Sequence, residues 1–96
     1  MKNILSKLNK AFESRIRLGI MSILSVNESA DFNTMKQLME LTDGNLASHL
    51  KALETLGYIQ SVKQFIGRKP KTQYSITEEG RKSFKEHLNA LEELIK

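Results

Sequence analysis

Residues 42–59, TDGNLASHLKALETLGYI, decide how the rest of the chain is read. Thr42 or Asp43 can cap a helix here by accepting from its free backbone N–H groups, and Gly57 stands where a left-handed closing residue is wanted. With Gly57 as the stop, Tyr58 and Leu53 occupy the two positions whose side chains meet across such an ending. At about 100° per residue, Leu46, Leu53 and Gly57 stay within about 60° of Leu50 and form one apolar stripe. Asn45, Ser48 and Ala52 point the opposite way, flanked by Gly44, His49, Lys51 and Thr55. These side chains are short enough to let a helix enter the major groove of DNA, where Asn, Ser, His and Lys can bond base edges or phosphates. Standing alone, such a helix is more simply a surface helix whose polar face meets water, so its surroundings must decide.

Downstream of Gly57 the apolar spacing drops from near four to near two. Tyr58, Ile59, Val62, Phe65 and Ile66, then Tyr74 and Ile76, are β-prone and partly alternating, which implies two strands. Between them Gly67-Arg68-Lys69-Pro70-Lys71 is a turn with three cations at its tip. No acid falls between Glu54 and Glu78, whereas Lys63, Arg68, Lys69 and Lys71 all do. Thr77-Glu78-Glu79 opens a last helix, expected over 78–96, with a capping hydroxyl and two carboxylates at the positive end of the helix dipole. Phe84, Leu88, Leu91 and Ile95 follow at coiled-coil-like spacing, a narrow seam that needs a partner.

Upstream, Met35, Leu38 and Met39 give the inner face of a helix capped by Asn33 or Thr34, with Thr34 and Gln37 at capping-box spacing. It ends near Leu41, and a tight turn around Leu41 to Asp43 leads into the 42–59 helix, a helix-turn-helix arrangement. Ala30 to Phe32 reads as a short extended connection. A helix from Ser14 carries Ile16, Ile20, Ile23 and Leu24, with Leu18 and Met21 beside them, a face broad enough for the centre of a core. Gly19 within it costs about 1 kcal/mol relative to alanine, which suggests close packing against a neighbour. Residues 2–12 form a leading helix with a narrow stripe of Leu5, Leu8 and Phe12.

The 96 residues suit one domain, 1–96, with a core over about 14–84 and terminal helices at 2–12 and 78–96. Apolar residues at 40% and charged residues at 27% are ordinary for a globular protein. No apolar run approaches the roughly 20 residues of a membrane span, and MKNILSKLNK lacks a signal-peptide core, so a cytoplasmic protein without membrane association is expected. Zero cysteines exclude disulfides and thiolate metal sites, and two histidines, His49 and His87, form no cluster. No cofactor or metal is implied. The net charge of +4 is concentrated in the acid-free segment and at the N-terminus, where Lys2, Lys7, Lys10, Arg15 and Arg17 face Glu13 alone.

In this order, helix, helix-turn-helix, two-stranded basic hairpin and helix, the chain resembles the winged-helix DNA-binding domains of MarR- and ArsR-type bacterial and archaeal regulators. More narrowly it resembles the small stand-alone winged-helix DNA-binding family. The resemblance is carried by Arg17-Leu18 with Ile20 and Leu24, by the DGNLASHLKALETLGYI run, by Gly67-Arg68-Lys69-Pro70-Lys71-Thr72 with Tyr74, and by Ile76-Thr77-Glu78-Glu79-Gly80-Arg81. It spans roughly Ser14 to Phe84. It implies a mainly α fold with a small β-hairpin wing, in which the helix matching Asp43 to Leu56 lies in the major groove and the wing reaches the adjacent minor groove or its phosphates. Asn45, Ser48, His49 and Ala52 would then face bases, Lys51 and Thr55 would lie nearer the backbone, and Arg68, Lys69 and Lys71 would be the wing contacts. The chain departs from the ArsR-type metal sensors in lacking their cysteine and histidine clusters, and from the longer MarR-type proteins in having less extensive terminal helices.

The function expected is a sequence-specific transcriptional regulator that binds double-stranded DNA. A winged helix used for protein–protein interaction is the alternative, but it needs an apolar or acidic helix face and no cationic wing. An enzyme is not expected. The carboxylates fall on solvent faces or at helix starts, His87 reads as a surface or interface residue, and Ser48 and His49 point about 100° apart on a helix. A homodimer is expected through Leu5, Leu8, Phe12, Phe84, Leu88, Leu91 and Ile95, stripes too apolar to leave in water.

Overall fold

The computed structural model describes residues 3–96; Lys2, counted above in the basic N-terminus and in the leading helix, lies outside them. Among the described residues the order is α1 (Arg15–Val26), β1 (Ala30–Asp31), α2 (Phe32–Met39), α3 (Asp43–Thr55), β2 (Ile59–Ile66), β3 (Lys69–Ile76) and α4 (Glu78–Leu94). The mainly α fold with a β-hairpin is present, with one addition. The extended connection at Ala30 and Asp31 pairs antiparallel with β3, so the sheet has three strands in the order β1-β3-β2. No described helix is long and apolar enough to cross a membrane.

The core gathers Ile20, Met21 and Leu24 of α1, Met35 of α2, Leu46, Leu50 and Leu53 of α3, Ile59 of β2, and Phe12 and Phe84 from the two ends of the chain. At Gly19 an added Cβ would stand 2.8 Å from the Met39 sulfur, so α1 and α2 do approach closely there. The cap of α2 differs from expectation. Asp31, still extended at the end of β1, accepts from the Thr34 N–H, so the helix starts at Phe32, ahead of Asn33 and Thr34. A carboxylate leaving a strand in extended geometry is a better cap than a hydroxyl already inside the first turn.

The turn between α2 and α3 depends on Glu40, the only described non-glycine residue with positive φ, at 51°. Its N–H bonds to the Gln37 carbonyl and that of Leu41 to Lys36, closing α2 in left-handed geometry where glycine is the usual residue. Thr42 then caps α3, its hydroxyl accepting from the Asn45 N–H at 3.2 Å.

The far end of α3 closes on Gly57, φ 81°, with the Tyr58 N–H bonding to the Leu53 carbonyl and the Gly57 N–H to Glu54. That double bond pattern is the Schellman stop. Thr77 locks this ending to α4. Its hydroxyl donates to the Gly57 carbonyl at 2.6 Å and accepts from the Gly80 N–H at 2.9 Å, and its own N–H bonds to the Tyr58 carbonyl at 3.0 Å. Gly80 sits so close to Tyr58 that an added Cβ would lie 2.0 Å from the Tyr58 carbonyl oxygen.

The leading helix expected over 2–12 is instead two 3₁₀ turns, Ile4–Lys7 and Lys10–Phe12. Asn3 and Asn9 explain the break, since their side chains accept from the Leu5 and Ala11 N–H groups and cap two short turns rather than continuing one helix. Asn9 also straps the segment to the body. Its N–H donates to Nδ1 of His87 and its amide to the Tyr58 hydroxyl, both at 3.0 Å. His87 is therefore buried, not a surface or interface residue, and burial pushes its pKa below the ordinary histidine value against the opposing effect of Glu13.

Candidate nucleic-acid interface

The helix-turn-helix presents α3 on its apolar stripe. Leu46, Leu50 and Leu53 are sealed in the core, while Gly44, Asn45, Ala47, Ser48, Lys51 and Thr55 are exposed. Among these, the Thr55 hydroxyl bonds back to the Lys51 carbonyl. Ala52, expected at the centre of the outward face, is half-buried. At the start of α3, Asp43 is paired with Lys36 of α2 at 2.6 Å, which holds the turn and neutralises the acid nearest the exposed face.

His49 lies at the edge of that face, half-buried, and its Nδ1 accepts from Nε of Arg17 at 3.0 Å. Burial, and secondarily the Arg17 charge, lower its pKa below the ordinary value, so the ring is neutral near pH 7. With Nδ1 accepting, the ring proton is assigned to Nε2. Among the described residues no buried polar side-chain atom lacks a partner, so this unbonded Nε2 reaches solvent as a neutral donor. His49 is thus suited to meet an acceptor on a base edge and unsuited to serve as a phosphate-binding cation. Sequence reasoning missed Arg17, since nothing in its spacing from His49 marks the two as neighbours.

The hairpin pairs β2 with β3 in continuous register from Ile59 opposite Ile76 to Ile66 opposite Lys69. Its two-residue turn, Gly67-Arg68, has positive φ only at the glycine, 67°, which is the type II′ geometry favoured between twisted strands. Strand alternation then sorts the side chains into two faces. Ile59, Ser61, Lys63 and Phe65, with Ile76, Tyr74, Thr72 and Pro70 opposite them, share the face that packs on the core. Gln60, Val62, Gln64 and Ile66, with Ser75, Gln73, Lys71 and Lys69, share the other.

The cations expected on the wing therefore differ in setting. Arg68 is exposed at the apex and Lys69 is exposed beside it. Lys71 is already engaged with Asp31 at 2.8 Å, a diagonal cross-strand pair on the face away from the core. The Lys71 ammonium and the Thr34 N–H hold the Asp31 carboxyl down at about 2, from an ordinary 3.8. Because the folded value is the lower one, the stability this carboxylate adds is fully present above the ordinary value and is lost as pH falls toward 2. A thermal melt series from pH 5 to pH 2 should show a steeper loss for the wild type than for Asp31→Asn, which keeps a capping oxygen but no charge. Equal slopes would mean that Lys71 is free.

A cleft separates α3 from the sheet, lined by Ala47, Lys51, Glu54 and Thr55 on the helix and by Tyr74 on β3. Glu54 stands at its foot, accepting from the Ser61 hydroxyl at 3.0 Å. Phe12 and Phe84 of the expected dimer surface are consumed by the protomer's own core, in edge contact with ring centroids 5.3 Å apart. Leu8 is half-buried. Leu5, Leu88, Leu91 and Ile95 remain exposed, joined by Leu94.

A three-helix body with its third helix exposed, followed by a twisted hairpin, defines a winged helix. Residues 16–95 match the family described as winged helix DNA-binding domain. The chain belongs to that family. An uncharacterized protein of Methanocaldococcus jannaschii, MJ0432, is 39% identical over 87 residues, covering 91% of this chain and 95% of that protein. The structure of a transcriptional regulator homologue from Pyrococcus horikoshii is similar with a TM-score of 0.78 and 34% identity, covering 94% of each chain. A structure of reduced AbfR bound to DNA shares the fold at a TM-score of 0.77 and 17% identity, covering 94% of this chain and 64% of that one.

Proposed function

We propose that the whole chain acts as one DNA-binding domain, a cytoplasmic, non-enzymatic transcriptional regulator that binds double-stranded DNA as a homodimer and reads its sequence with α3. The observation that carries this reading is the exposed face of α3, with Asn45, Ser48 and Lys51 outward on a helix whose opposite stripe is sealed by Leu46, Leu50 and Leu53. Family membership and the regulator homologue of similar length support it, as does a fold shared with a protein solved on DNA. In this reading Asn45, Ser48, His49 and Ala52 meet base edges, Lys51 and Thr55 lie toward the phosphates, and the wing reaches the adjacent minor groove or its backbone with Arg68 at its apex, while Lys71 stays on Asp31. Selecting bound fragments from genomic DNA tests it. The expected result is a roughly palindromic site with half-sites about 10 bp apart or a multiple of that. Retention of random fragments only, without enrichment, would remove sequence-specific reading from the proposal.

The dimer rests on the exposed remainder of the α4 seam. Leu88, Leu91 and Ile95 continue the direction of Phe84 beyond the protomer's core, and Leu5 lies exposed on the N-terminal segment that packs along α4. Sedimentation of the wild type at micromolar concentration should give twice the mass of the chain. The Leu88→Glu, Leu91→Glu variant should sediment as a folded monomer and lose affinity for a two-half-site duplex. A wild-type monomer that binds such a duplex with full affinity would overturn the dimer.

A further inference from the structure

The hairpin has two faces, and their chemistry distinguishes which one meets DNA. We infer that the wing binds duplex DNA through the face it shares with α3, with Lys63 on the phosphate ridge and the Phe65 ring against the sugars and base edges of the minor groove. Lys69 and Lys71 lie behind that contact. This rests on the reading of α3 as the groove-binding helix and assigns two contact residues to it.

Three observations support the choice of face. First, the register places Lys63 and Phe65 on the same side as Ile59, Ser61 and Tyr74, which is the side closed by α3 through the Glu54–Ser61 bond and the cleft at Tyr74. A helix in the major groove and a hairpin in the next minor groove must straddle one phosphate ridge. The space open to that ridge is the cleft between α3 and this face. Second, beyond Glu54 at its foot, the outer part of the face carries no acid, only Lys63, Thr72, Phe65 and Pro70. The opposite face is tied back into the protein, with Lys71 on Asp31 and Ser29 bonded to Gln73.

Third, Phe65 is 72% exposed, an aromatic ring that no neighbour covers, set opposite Pro70 and next to Ile66 and the Gly67-Arg68 turn. At about 3.3 Å per residue, Phe65 stands about 13 Å beyond Ser61 and the apex about 20 Å beyond it. Adjacent groove centres are about 17 Å apart, half of a helical turn of about 34 Å. Ring and apex therefore bracket the depth at which the neighbouring minor groove lies. Apolar side chains among cations are the usual means by which proteins wedge into a minor groove.

The test is binding of a labelled 30-bp random-sequence duplex across a salt series, read by anisotropy for wild type, Phe65→Ala, Lys63→Ala, Val62→Ala and Lys71→Ala. All four replacements lie in the hairpin, and a cooperative melting transition well above the assay temperature establishes that each variant is folded. Phe65→Ala should weaken binding about tenfold while leaving the salt slope unchanged, because an uncharged contact is lost. Lys63→Ala should lower the magnitude of the log-affinity versus log-salt slope by about 1. Val62→Ala, a smaller apolar truncation on the other face, and Lys71→Ala should stay within about twofold of wild type. If Val62 and Lys71 matter and Phe65 and Lys63 do not, the wing docks by its other face and the inference is overturned. If none of the four matters while the wild type binds with a steep salt slope, neither face of the hairpin touches DNA and the inference fails alone. A wild type that binds no duplex at any salt concentration removes the parent reading together with it.

Discussion

Replacing Gly80 with alanine is expected to destabilise the protein by about 3–4 kcal/mol, among the largest effects of any single methyl addition to this chain. The new Cβ would stand 2.0 Å from the Tyr58 carbonyl oxygen, 2.8 Å from its carbon and 3.0 Å from its Cα. All three are backbone atoms, so no rotamer change relieves the overlap and α4 must move away from the end of α3. That movement breaks the Thr77 hydroxyl bond to the Gly57 carbonyl and the Thr77 N–H bond to Tyr58. The better helix propensity of alanine returns only about 1 kcal/mol. Gly44→Ala is the matched control, since its added Cβ meets nothing within 4 Å on the exposed face of α3. It should be neutral or slightly stabilising. Urea unfolding of the two variants decides the matter, and a Gly80→Ala protein as stable as wild type would show that α4 does not approach Tyr58 so closely.

Asn45→Ala and Ser48→Ala are each expected to cost on the order of 1–3 kcal/mol of binding to the selected site and much less on random DNA. Both side chains are exposed on α3 and point away from Leu46 and Leu50, so their removal leaves the core intact. Neither has a side-chain hydrogen bond within the protein among the described residues, which leaves their donors and acceptors available to bases. Arg68→Ala should behave differently. A phosphate contact at the wing apex would be lost equally on selected and random duplexes, with the salt slope falling by about 1. A loss confined to A·T-rich duplexes would instead mark Arg68 as reading a narrow minor groove. Should Asn45→Ala and Ser48→Ala bind the selected site as tightly as wild type, α3 does not read its sequence.

Much of this fold was legible in the residue pattern because the decisive signals were local. Gly57 with the Leu46, Leu50 and Leu53 stripe marks the end and the inner face of α3 within one short stretch, and Thr77 marks the start of α4 in the same way. Contacts between distant residues were not legible. Asn9 on His87 and Arg17 on His49 join positions whose proximity arises only when the chain closes. Glu40 in left-handed geometry left no trace either, because the turn it makes is imposed by α2 and α3 packing around it rather than by its own preference.

The wing shows a third case. Counting alternate residues outward from Ile59 places Lys63 and Phe65 on its side of the strand, a signal present in the sequence. Beside it, the Gly-Arg-Lys-Pro-Lys run marks charge at the tip but not the direction each side chain takes. The Lys71 pairing could not be read in the same way, since it depends on β1, a two-residue strand that the sequence shows only as an extended link.

The three bonds converging on Thr77 also govern how motion would pass through the molecule. The hydroxyl and amide of this one residue clamp the closing turn of α3 to the first turn of α4, and Gly80 removes any slack by bringing the two backbones into contact. The clamp joins the helix with the exposed polar face directly to the helix that carries the exposed seam. Each protomer of a two-fold pair would behave as a stiff lever with its fulcrum at the seam, so that a small change in the angle between the two α4 helices sweeps both α3 helices through a larger arc. The spacing of the two half-sites would then be set by the tilt at which two copies of Leu88, Leu91 and Ile95 come to rest, far from any residue that touches a base.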